Sequence, residues 1–368
     1  MMNDNSINIK YMQQAIELSK KGIGFVNPNP VVGAVIVKDN KIIGQGYHEF
    51  FGGTHAEINA INNSTENIKN AVIYVTLEPC SHYGKNPPCV DAIIKNGISK
   101  VVIGMQDPNP LVAGKGIEKL KNNRIKVEAG ILENEIKTLN EIYIKFITTK
   151  LPFCILKTAM TFDGKIATVS GDSKWISNEK SRKYVHELRQ KCSGIMVGVN
   201  TVINDNPSLT VRIKGEKISN PVRIIVDTHC KIPLNAKVLN SCSDSKTIIA
   251  TTKQANINTL KAITKKGGEI IKNPLKNEKV DLKYLMKILG EKGIDSILIE
   301  GGSTLNYSAI NDGIVDKVIS FISPKIIGGE SAKTPVGGKG KFFLKDAVIL
   351  KNQRIKYFDN DLMIEAYI

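Results

Sequence analysis

The chain has 368 residues, of which 42% are hydrophobic and 23% are charged, a balance typical of folded globular proteins and too apolar for a disordered chain. Its length predicts about two domains. No apolar run approaches the roughly eighteen residues that a membrane span needs, and residues 1–10 are polar, so we expect neither a membrane partner nor a secretory leader.

The formal net charge of +16 raises the question of a nucleic-acid partner. The lysines are spread along the whole chain, however, without a run of five or six and without interleaved arginines and aromatic residues. We therefore expect no nucleic acid, and we expect the positive field to favour a phosphorylated small molecule. The cysteines outside the motif described below are scattered, which is typical of a reducing compartment and predicts a cytoplasmic protein.

In the first half of the chain, hydrophobic periodicity and turn residues predict helices that alternate with strands. The predicted helices cover residues 11–21, 55–62, 89–96, 114–122 and 133–148, and the predicted strands cover residues 31–37, 41–47, 71–77, 100–104 and 124–129. This alternation predicts a three-layer α/β/α domain.

Two short motifs flank the third predicted strand, and together they indicate a metal site. His55 lies in a His-Ala-Glu triplet that ends at Glu57, and Cys80 lies in a Pro-Cys pair that is followed by Cys89. A catalytic zinc ion has three protein ligands and an open position for water, and a separate acid must move protons. His-x-Glu followed by Pro-Cys-x-x-Cys is the signature of zinc nucleobase deaminases, with the glutamate as general acid/base. We therefore predict His55, Cys80 and Cys89 as ligands and Glu57 as the catalytic residue.

The motif departs from that signature in one respect, because eight residues rather than two separate Cys80 from Cys89. Other interpretations are a chance match among buried cysteines and a structural zinc. A structural zinc usually has four Cys or His ligands and no spare acid. His82 could be a fourth ligand, but it would then close the site to water. The combination of motifs favours a catalytic zinc.

The second half predicts another α/β domain. The amphipathic pattern ends at residues 150–152, which predicts domains at 1–149 and 150–368. Strands are predicted at 153–158, 194–199, 222–227 and 296–300, with a helix at 179–191 and two further strand–helix pairs. The last strand leads through Gly301-Gly302 into a helix, whose N-terminus would suit a dinucleotide pyrophosphate. No Gly-x-Gly-x-x-Gly follows the first strand, which argues against the usual Rossmann domain.

Several longer motifs resemble those of one family. They lie at residues 76–85, 87–89, 106–110, 112–116, 163–167, 171–176 and 206–212. With them the chain resembles the bifunctional riboflavin-biosynthesis deaminase/reductases over essentially its full length, and the eight-residue spacing between the thiols is itself typical of that family. Thr161-Phe162 stands where Ser-Leu is expected, a mild change.

The resemblance implies a cytidine-deaminase-like first domain and a dihydrofolate-reductase-like second domain. The first would use Zn²⁺ to deaminate 2,5-diamino-6-(5-phosphoribosylamino)pyrimidin-4(3H)-one. The second would use NADPH to reduce the ribosyl group and give 5-amino-6-(5-phosphoribitylamino)uracil. A homo-oligomer is implied as well.

The resemblance also implies binding residues by position. Those near the pyrimidine in the first domain are Asn29, His48, His82 and Lys85. Those for NADPH are Ala159, Trp175, Thr201, Asp205, Thr228, Gly302, Ser303, Thr304, Leu305, Asn306, Tyr307 and Ser308. Those for the second substrate are Lys157, Ser173, Arg189, Leu209, Arg212 and Glu300, and the two arginines suit its phosphate. Lys157 or Asp205 could supply the proton that accompanies the hydride.

Two rival functions stay open on sequence alone. One is a tRNA or free-nucleoside deaminase with an unrelated second domain. The other is a nucleic-acid-binding module with a structural zinc, for which Glu57 would be dispensable.

Overall fold

The computed structural model describes residues 4–83, 87–110, 112–215, 217–242 and 245–368. The chain divides into two units, one extending to Lys150 and the other from Leu151 to Ile368. This division lies one residue from the boundary that the sequence predicts. No helix in the described ranges is both long and apolar enough to cross a membrane.

The first unit is built on a five-stranded mixed sheet with the order β2-β1-β3-β4-β5 in the described residues. The β1 strand pairs antiparallel with β2 and β3, whereas β3, β4 and β5 are parallel. The elements are α1 (Asp4–Lys20), β1 (Gly33–Lys38), β2 (Lys41–Tyr47), α2 (Ala56–Asn62), β3 (Val72–Leu77), α3 (Cys89–Lys95), β4 (Lys100–Met105), α4 (Lys115–Asn122), β5 (Lys126–Ala129), α5 (Glu133–Leu139) and α6 (Glu141–Thr149).

Helices cover both faces of this sheet. A Cβ atom on Gly33 would lie 2.0 Å from the carbonyl oxygen of Ala15 in α1, and a Cβ atom on Gly46 would lie 2.3 Å from the backbone nitrogen of Ala60 in α2. Gly46 pairs with Ala34, the neighbour of Gly33, and successive strand residues point to opposite faces. The α1 and α2 helices therefore lie on opposite sides, which confirms the three-layer α/β/α architecture.

The predicted helix at 133–148 is wrong as a single element, because it is divided at Asn140 into α5 and α6. The Asn140 side chain is buried and pairs with Val31: the Val31 N–H donates to Oδ1 at 2.9 Å, and Nδ2 donates to the Val31 carbonyl at 3.2 Å. Val31 precedes β1 and has no strand partner, so the amide satisfies both of its backbone groups. This contact fixes the chain just after Asn29, which is one of the predicted site residues.

The second unit contains a nine-stranded sheet with the order β10-β9-β8-β7-β13-β6-β14-β16-β15 in the described residues. All pairs from β10 to β14 are parallel, and β16 and β15 add an antiparallel edge. The elements are β6 (Phe153–Thr161), α7 (Glu179–Lys191), β7 (Gly194–Gly198), α8 (Val199–Asp205), β8 (Val222–Val226), α9 (Lys237–Asn240), β9 (Thr247–Thr251), α10 (Ile257–Lys265), β10 (Glu269–Lys272), β11 (Leu275–Lys276), β12 (Lys279–Val280), α11 (Leu282–Glu291), β13 (Ser296–Ile299), α12 (Ser303–Asn311), β14 (Lys317–Ser323), β15 (Lys351–Phe358) and β16 (Asp361–Tyr367).

Part of this unit differs from the sequence-based prediction. The strand predicted to end at residue 199 ends at Gly198, and α8 begins at the next residue. The last three strands were not predicted at all. β15 lies at the edge of the sheet and is exposed along most of its length, so it lacks the apolar alternation that indicates a half-buried strand.

We predict that Asn140→Ala destabilises the first unit by about 2 kcal/mol, because both Val31 backbone groups would lose their partner in a buried environment. Faster hydrogen exchange of amides in β1 and β2 would report this loss. Asn123→Ala is the matched control, because the Asn123 amide donates to the Lys119 carbonyl at an exposed helix end. Equal exchange in the two variants would contradict the assignment.

Candidate active sites

Three predicted ligands converge in the first unit. The ligand atoms of His55, Cys80 and Cys89 all lie within 4.8 Å of one another. His55 Nδ1 is 3.2 Å from the Cys89 sulfur and 3.5 Å from the Cys80 sulfur. His55 is the N-cap of α2 and Cys89 is the first residue of α3, whereas Cys80 follows β3 after two residues.

This donor set fits zinc. One imidazole nitrogen and two sulfurs are ligands that zinc prefers, and three protein ligands leave the fourth tetrahedral position open. His82 is exposed and is not part of the cluster found among the described residues, so the structure does not support it as a fourth ligand. The protein groups therefore match a catalytic rather than a structural zinc.

The titratable groups of the cluster are strongly coupled. Hydrogen bonding from Cys89 and His55 lowers the pKa of Cys80 to about 4, and the same contact with Cys80 raises the pKa of His55 to about 9. The pKa of Cys89 is raised, first by its hydrogen bond to Cys80 and then by burial. A bound cation would take the place of the protons that these groups share.

Glu57 lies beside the cluster in the first turn of α2. Its side chain is buried, and burial, with the nearby Cys80, raises its pKa to about 7. A carboxyl group with a pKa near neutrality can both accept and donate a proton under physiological conditions. Glu57 therefore has the protonation behaviour that a general acid/base needs.

Two predicted pyrimidine-binding residues form a hydrogen-bonded chain beside the ligands. His48 Nδ1 is 3.0 Å from the Thr54 carbonyl oxygen, and His48 Nε2 is 3.1 Å from the Asn29 amide nitrogen. A carbonyl only accepts, so Nδ1 donates and Nε2 accepts from Asn29, which requires a neutral ring. Burial lowers the pKa of His48, in agreement with a neutral imidazole. Its ring lies edge-on to that of His55, with 5.7 Å between the centroids.

In the described part of the chain, the structure gives no contact with the ligand cluster for the other two predicted pyrimidine-binding residues. His82 is exposed, and Lys85 lies outside the described residues.

The sequence analysis missed Glu78, a buried carboxylate two residues before Cys80. It accepts hydrogen bonds from the backbone N–H groups of Gly114 at 3.0 Å, Gly116 at 2.9 Å and Ile117 at 3.2 Å. These bonds attach the start of α4 to the segment that carries Cys80. The available signal was an acidic residue directly before the Pro-Cys pair.

In the second unit, Lys157, Arg189 and Glu300 converge. Arg189 donates to both carboxylate oxygens of Glu300, from Nε at 2.6 Å and from Nη2 at 2.9 Å. Lys157 is next to Glu300 because Leu156 pairs with Ile299 in the neighbouring strand. Burial would raise the pKa of Glu300, but Arg189 outweighs it and the pKa falls to about 2. Burial lowers the pKa of Lys157.

Residues predicted to bind the cofactor follow the ends of parallel strands. Thr201 follows β7, Thr228 follows β8 and Gly302 follows β13, so all three lie at the edge of the sheet where α/β folds bind ligands. A Cβ atom on Gly302 would lie 3.4 Å from the Thr201 hydroxyl. The starts of α8 and α12 are therefore close to each other. Ala159 is near the end of β6, at the same edge.

The remaining cofactor positions divide by burial. In α12, the side chains of Leu305 and Asn306 are buried, so a ligand could contact only their backbone. The other predicted residues of this helix are not buried; they are Ser303, Thr304, Tyr307 and Ser308. Trp175 is 64% exposed, and the Arg182 guanidinium lies 4.6 Å from its ring centroid.

The last predicted NADPH residue, Asp205, is exposed, and the predicted substrate residue Ser173 is half-buried. No hydrogen bond or ion pair found in the described ranges joins either to Glu300. Leu209 is buried, and Arg212 is exposed and connected through its backbone to His186, a residue that the sequence analysis missed.

The fold and the site together define a zinc-dependent deaminase joined to a second α/β enzyme domain. Residues 5–105 match the cytidine and deoxycytidylate deaminase zinc-binding region, and residues 152–364 match the RibD C-terminal domain. The riboflavin biosynthesis protein RibD of Actinobacillus pleuropneumoniae is 45% identical over 358 residues, which cover 97% of this chain and 94% of that protein.

Solved structures give the same result. RibD of Acinetobacter baumannii has a TM-score of 0.89 at 34% identity, with 99% of each chain covered. A Thermotoga maritima protein described as a diaminohydroxyphosphoribosylaminopyrimidine deaminase/5-amino-6-(5-phosphoribosylamino)uracil reductase has a TM-score of 0.87 at 39% identity, with 99% of each chain covered. The chain belongs to the RibD family, the bifunctional deaminase/reductases of riboflavin biosynthesis, whose cofactors are Zn²⁺ and NADPH. Neither rival function fits this membership.

We predict that the purified chain contains about one zinc ion and that His55→Ala and Cys89→Ala lose it, because two remaining ligands cannot hold the ion tightly. Glu57→Gln should retain the zinc, since this side chain is not a ligand. Elemental analysis of the purified variants measures this. Cys242→Ala, which removes a half-buried thiol in the other unit, is the control. Full zinc content in Cys89→Ala would contradict the ligand assignment.

Proposed function

We propose that this chain deaminates 2,5-diamino-6-(5-phosphoribosylamino)pyrimidin-4(3H)-one and then reduces the ribosyl group of the product to give 5-amino-6-(5-phosphoribitylamino)uracil. Deamination belongs to residues 1–149 and reduction to residues 150–368. The observation that carries the proposal is the buried Glu57 carboxyl beside a three-ligand cluster, in a chain similar over 99% of its length to the Thermotoga maritima deaminase/reductase. We also assign the protein to the cytoplasm.

In the deaminase, His55, Cys80 and Cys89 hold the zinc, which when bound supplies a Lewis acid that makes water nucleophilic at neutral pH. Glu57 takes one proton from the attacking water and delivers it to the ring nitrogen. It then takes the remaining proton from the hydroxyl group added to the ring carbon and delivers it to the amine, which leaves as ammonia while the carbonyl forms. Its burial supports this role, because a carboxyl with a pKa of about 7 exchanges protons readily in both directions.

The neighbouring polar groups orient the pyrimidine. Asn29 and His48 are held in fixed positions by each other and by the Thr54 carbonyl, so they offer the ring a pre-formed edge. His82 and Lys85, in the segment between the two thiols, complete the binding set by their match to the family.

In the reductase, NADPH supplies the hydride. Ala159, Thr201, Thr228 and the start of α12, which lie at the ends of parallel strands, would hold this cofactor, and Trp175 and Asp205 complete the set. Ser173, Arg189, Leu209, Arg212 and Glu300 hold the ribosyl substrate.

Lys157 supplies the accompanying proton. It lies next to Glu300 and burial lowers its pKa, whereas Asp205 is exposed and has no such environment.

We further propose that the chain forms a homo-oligomer through the C-terminal edge of the second unit. Phe342, Leu344 and Tyr357 are 92%, 91% and 76% exposed, and β15 pairs only with β16 among the described strands. Exposed apolar side chains and an unpaired strand edge are each typical of an interface with another chain.

A coupled assay tests the proposed reactions. The full-length chain should release ammonia from the diaminopyrimidine ribosyl phosphate and then oxidise NADPH. Glu57→Gln should lower ammonia release at least about a hundredfold, since a general acid/base contributes that much to proton transfer. NADPH oxidation should return when the deaminated compound is supplied to this variant.

The two halves can fail separately. Zinc-loaded wild-type protein that releases no ammonia would overturn the deaminase assignment. Ammonia release without NADPH oxidation, even on the deaminated compound, would overturn the reductase assignment.

For the oligomer, we predict that Leu344→Asp lowers the mass of the particle in solution, because burying a carboxylate in an apolar interface is unfavourable. Size-exclusion chromatography with light scattering measures the mass. Ile257→Asp is the control, because Ile257 is also exposed but lies at the first position of α10. A monomeric wild-type chain, or equal masses for the two variants, would contradict the proposal.

A further inference from the structure

Two side chains of α7 hold the backbone of a neighbouring substrate-site segment. His186 and Arg189 are one turn apart and therefore lie on the same face of the helix. Arg189 Nη1 donates to the Thr210 carbonyl oxygen at 3.1 Å, and the Arg212 backbone N–H donates to His186 Nδ1 at 3.2 Å. The segment from Leu209 to Arg212 is thus attached to α7 at two points.

The rest of this segment is fixed as well. Leu209 is buried and has a φ of 53°, in the left-handed region. Val211 is buried, and its N–H donates to Asn220 Oδ1 at 2.9 Å. The backbone is therefore held up to Arg212, whose own side chain is exposed.

The two arginines of this site are not equivalent. Arg189 is half-buried, it donates to both oxygens of Glu300, and a third donor is used by Thr210. The charge of Arg189 is balanced by Glu300. The Nε and Nη2 donors, which could form a bidentate contact with a phosphate, already bind the Glu300 carboxylate. No ion pair of the Arg212 side chain is found in the part of the chain that the structure describes. Arg212 is therefore the better anchor for a dianionic phosphate.

We propose that His186 is a positioning residue of the reductase: its imidazole holds the backbone of Arg212 so that the guanidinium meets the 5′-phosphate of the substrate. This inference rests on the proposed function, since it takes a phosphoribosyl compound as the ligand.

The charge state of His186 supports the hydrogen bond. Burial, followed by the charges of Arg189 and Arg212, lowers the pKa of His186 to about 4. The ring is then neutral at physiological pH and Nδ1 can accept the Arg212 N–H.

The test compares His186→Phe with His186→Asn in the full-length chain. Phenylalanine keeps a planar ring and removes the acceptor, whereas asparagine can place an amide oxygen close to the Nδ1 position. Binding of ribose 5-phosphate and of ribose is titrated calorimetrically, and the KM and kcat of the reductase are measured on the phosphorylated and dephosphorylated deaminated compounds.

We expect His186→Phe to weaken ribose 5-phosphate binding and to raise the KM for the phosphorylated substrate roughly tenfold, the scale of one lost hydrogen bond near a charge. Its kcat should stay within about twofold, and the dephosphorylated substrate should be unaffected, because neither depends on the phosphate anchor. His186→Asn should recover most of the loss. Glu187→Phe, which places the same ring at the exposed neighbouring position, should behave as wild type.

Two measurements separate this effect from misfolding. Trp175 is the only tryptophan in the sequence, so its fluorescence reports on NADPH binding, and deaminase activity reports on the first unit. Both should be unchanged in His186→Phe. An equal loss on both substrates, a loss confined to kcat, or no recovery in His186→Asn would overturn the inference. If the wild-type chain shows no reductase turnover but His186→Phe still weakens the binding of ribose 5-phosphate, the proposed reaction is wrong and this inference stands.

Discussion

The meeting of two helix N-termini at the end of β3 is the constraint on which the deaminase site depends. His55 and Cys89 are 34 positions apart, and they come within hydrogen-bond distance only because α2 and α3 both begin at this end of the sheet. Unpaired backbone N–H groups and the helix dipoles favour negative charge at such ends. These ends favour the ionised forms of Cys89 and Glu57, but burial and the nearby Cys80 outweigh that contribution and raise the pKa of both groups.

Buried polar contacts away from the cluster keep this arrangement in place. Glu78 joins the start of α4 to the segment before Cys80, and Asn140 joins the break between α5 and α6 to the segment after Asn29. Neither residue has an evident part in the chemistry. Each satisfies backbone groups that loops would otherwise leave unpaired in the interior, and such groups are costly to leave unpaired. Specific buried hydrogen bonds thus hold the segments that flank the site.

Sequence reasoning succeeded where a local pattern carries the information. The convergence of His55, Cys80 and Cys89 beside Glu57 could be predicted because zinc chemistry limits both the residue types and their spacing, and β2 and α7 were predicted with the bounds that the structure shows. The break at Asn140 could not be predicted, because the partner of its amide is 109 positions away in Val31. Glu78 was missed for the same reason, and β15 because an exposed edge strand carries little apolar alternation. The break at Asn140 and the role of Glu78 thus depend on contacts between residues far apart in the sequence, whereas β15 was missed because of its exposure.

In the second unit, the ion pair between Arg189 and Glu300 also controls the chemistry of Lys157. An unpaired Glu300 beside Lys157 would hold the ammonium in its charged form and raise its pKa, whereas the guanidinium repels that charge. Burial is the largest influence on Lys157, and Arg189 offsets the opposing effect of Glu300, so the pKa of Lys157 falls. An amine with a lowered pKa gives up its proton more readily near neutral pH. Under the proposed function, Arg189 therefore acts on Lys157 through Glu300, and the exposed Arg212 is the proposed anchor of the phosphate.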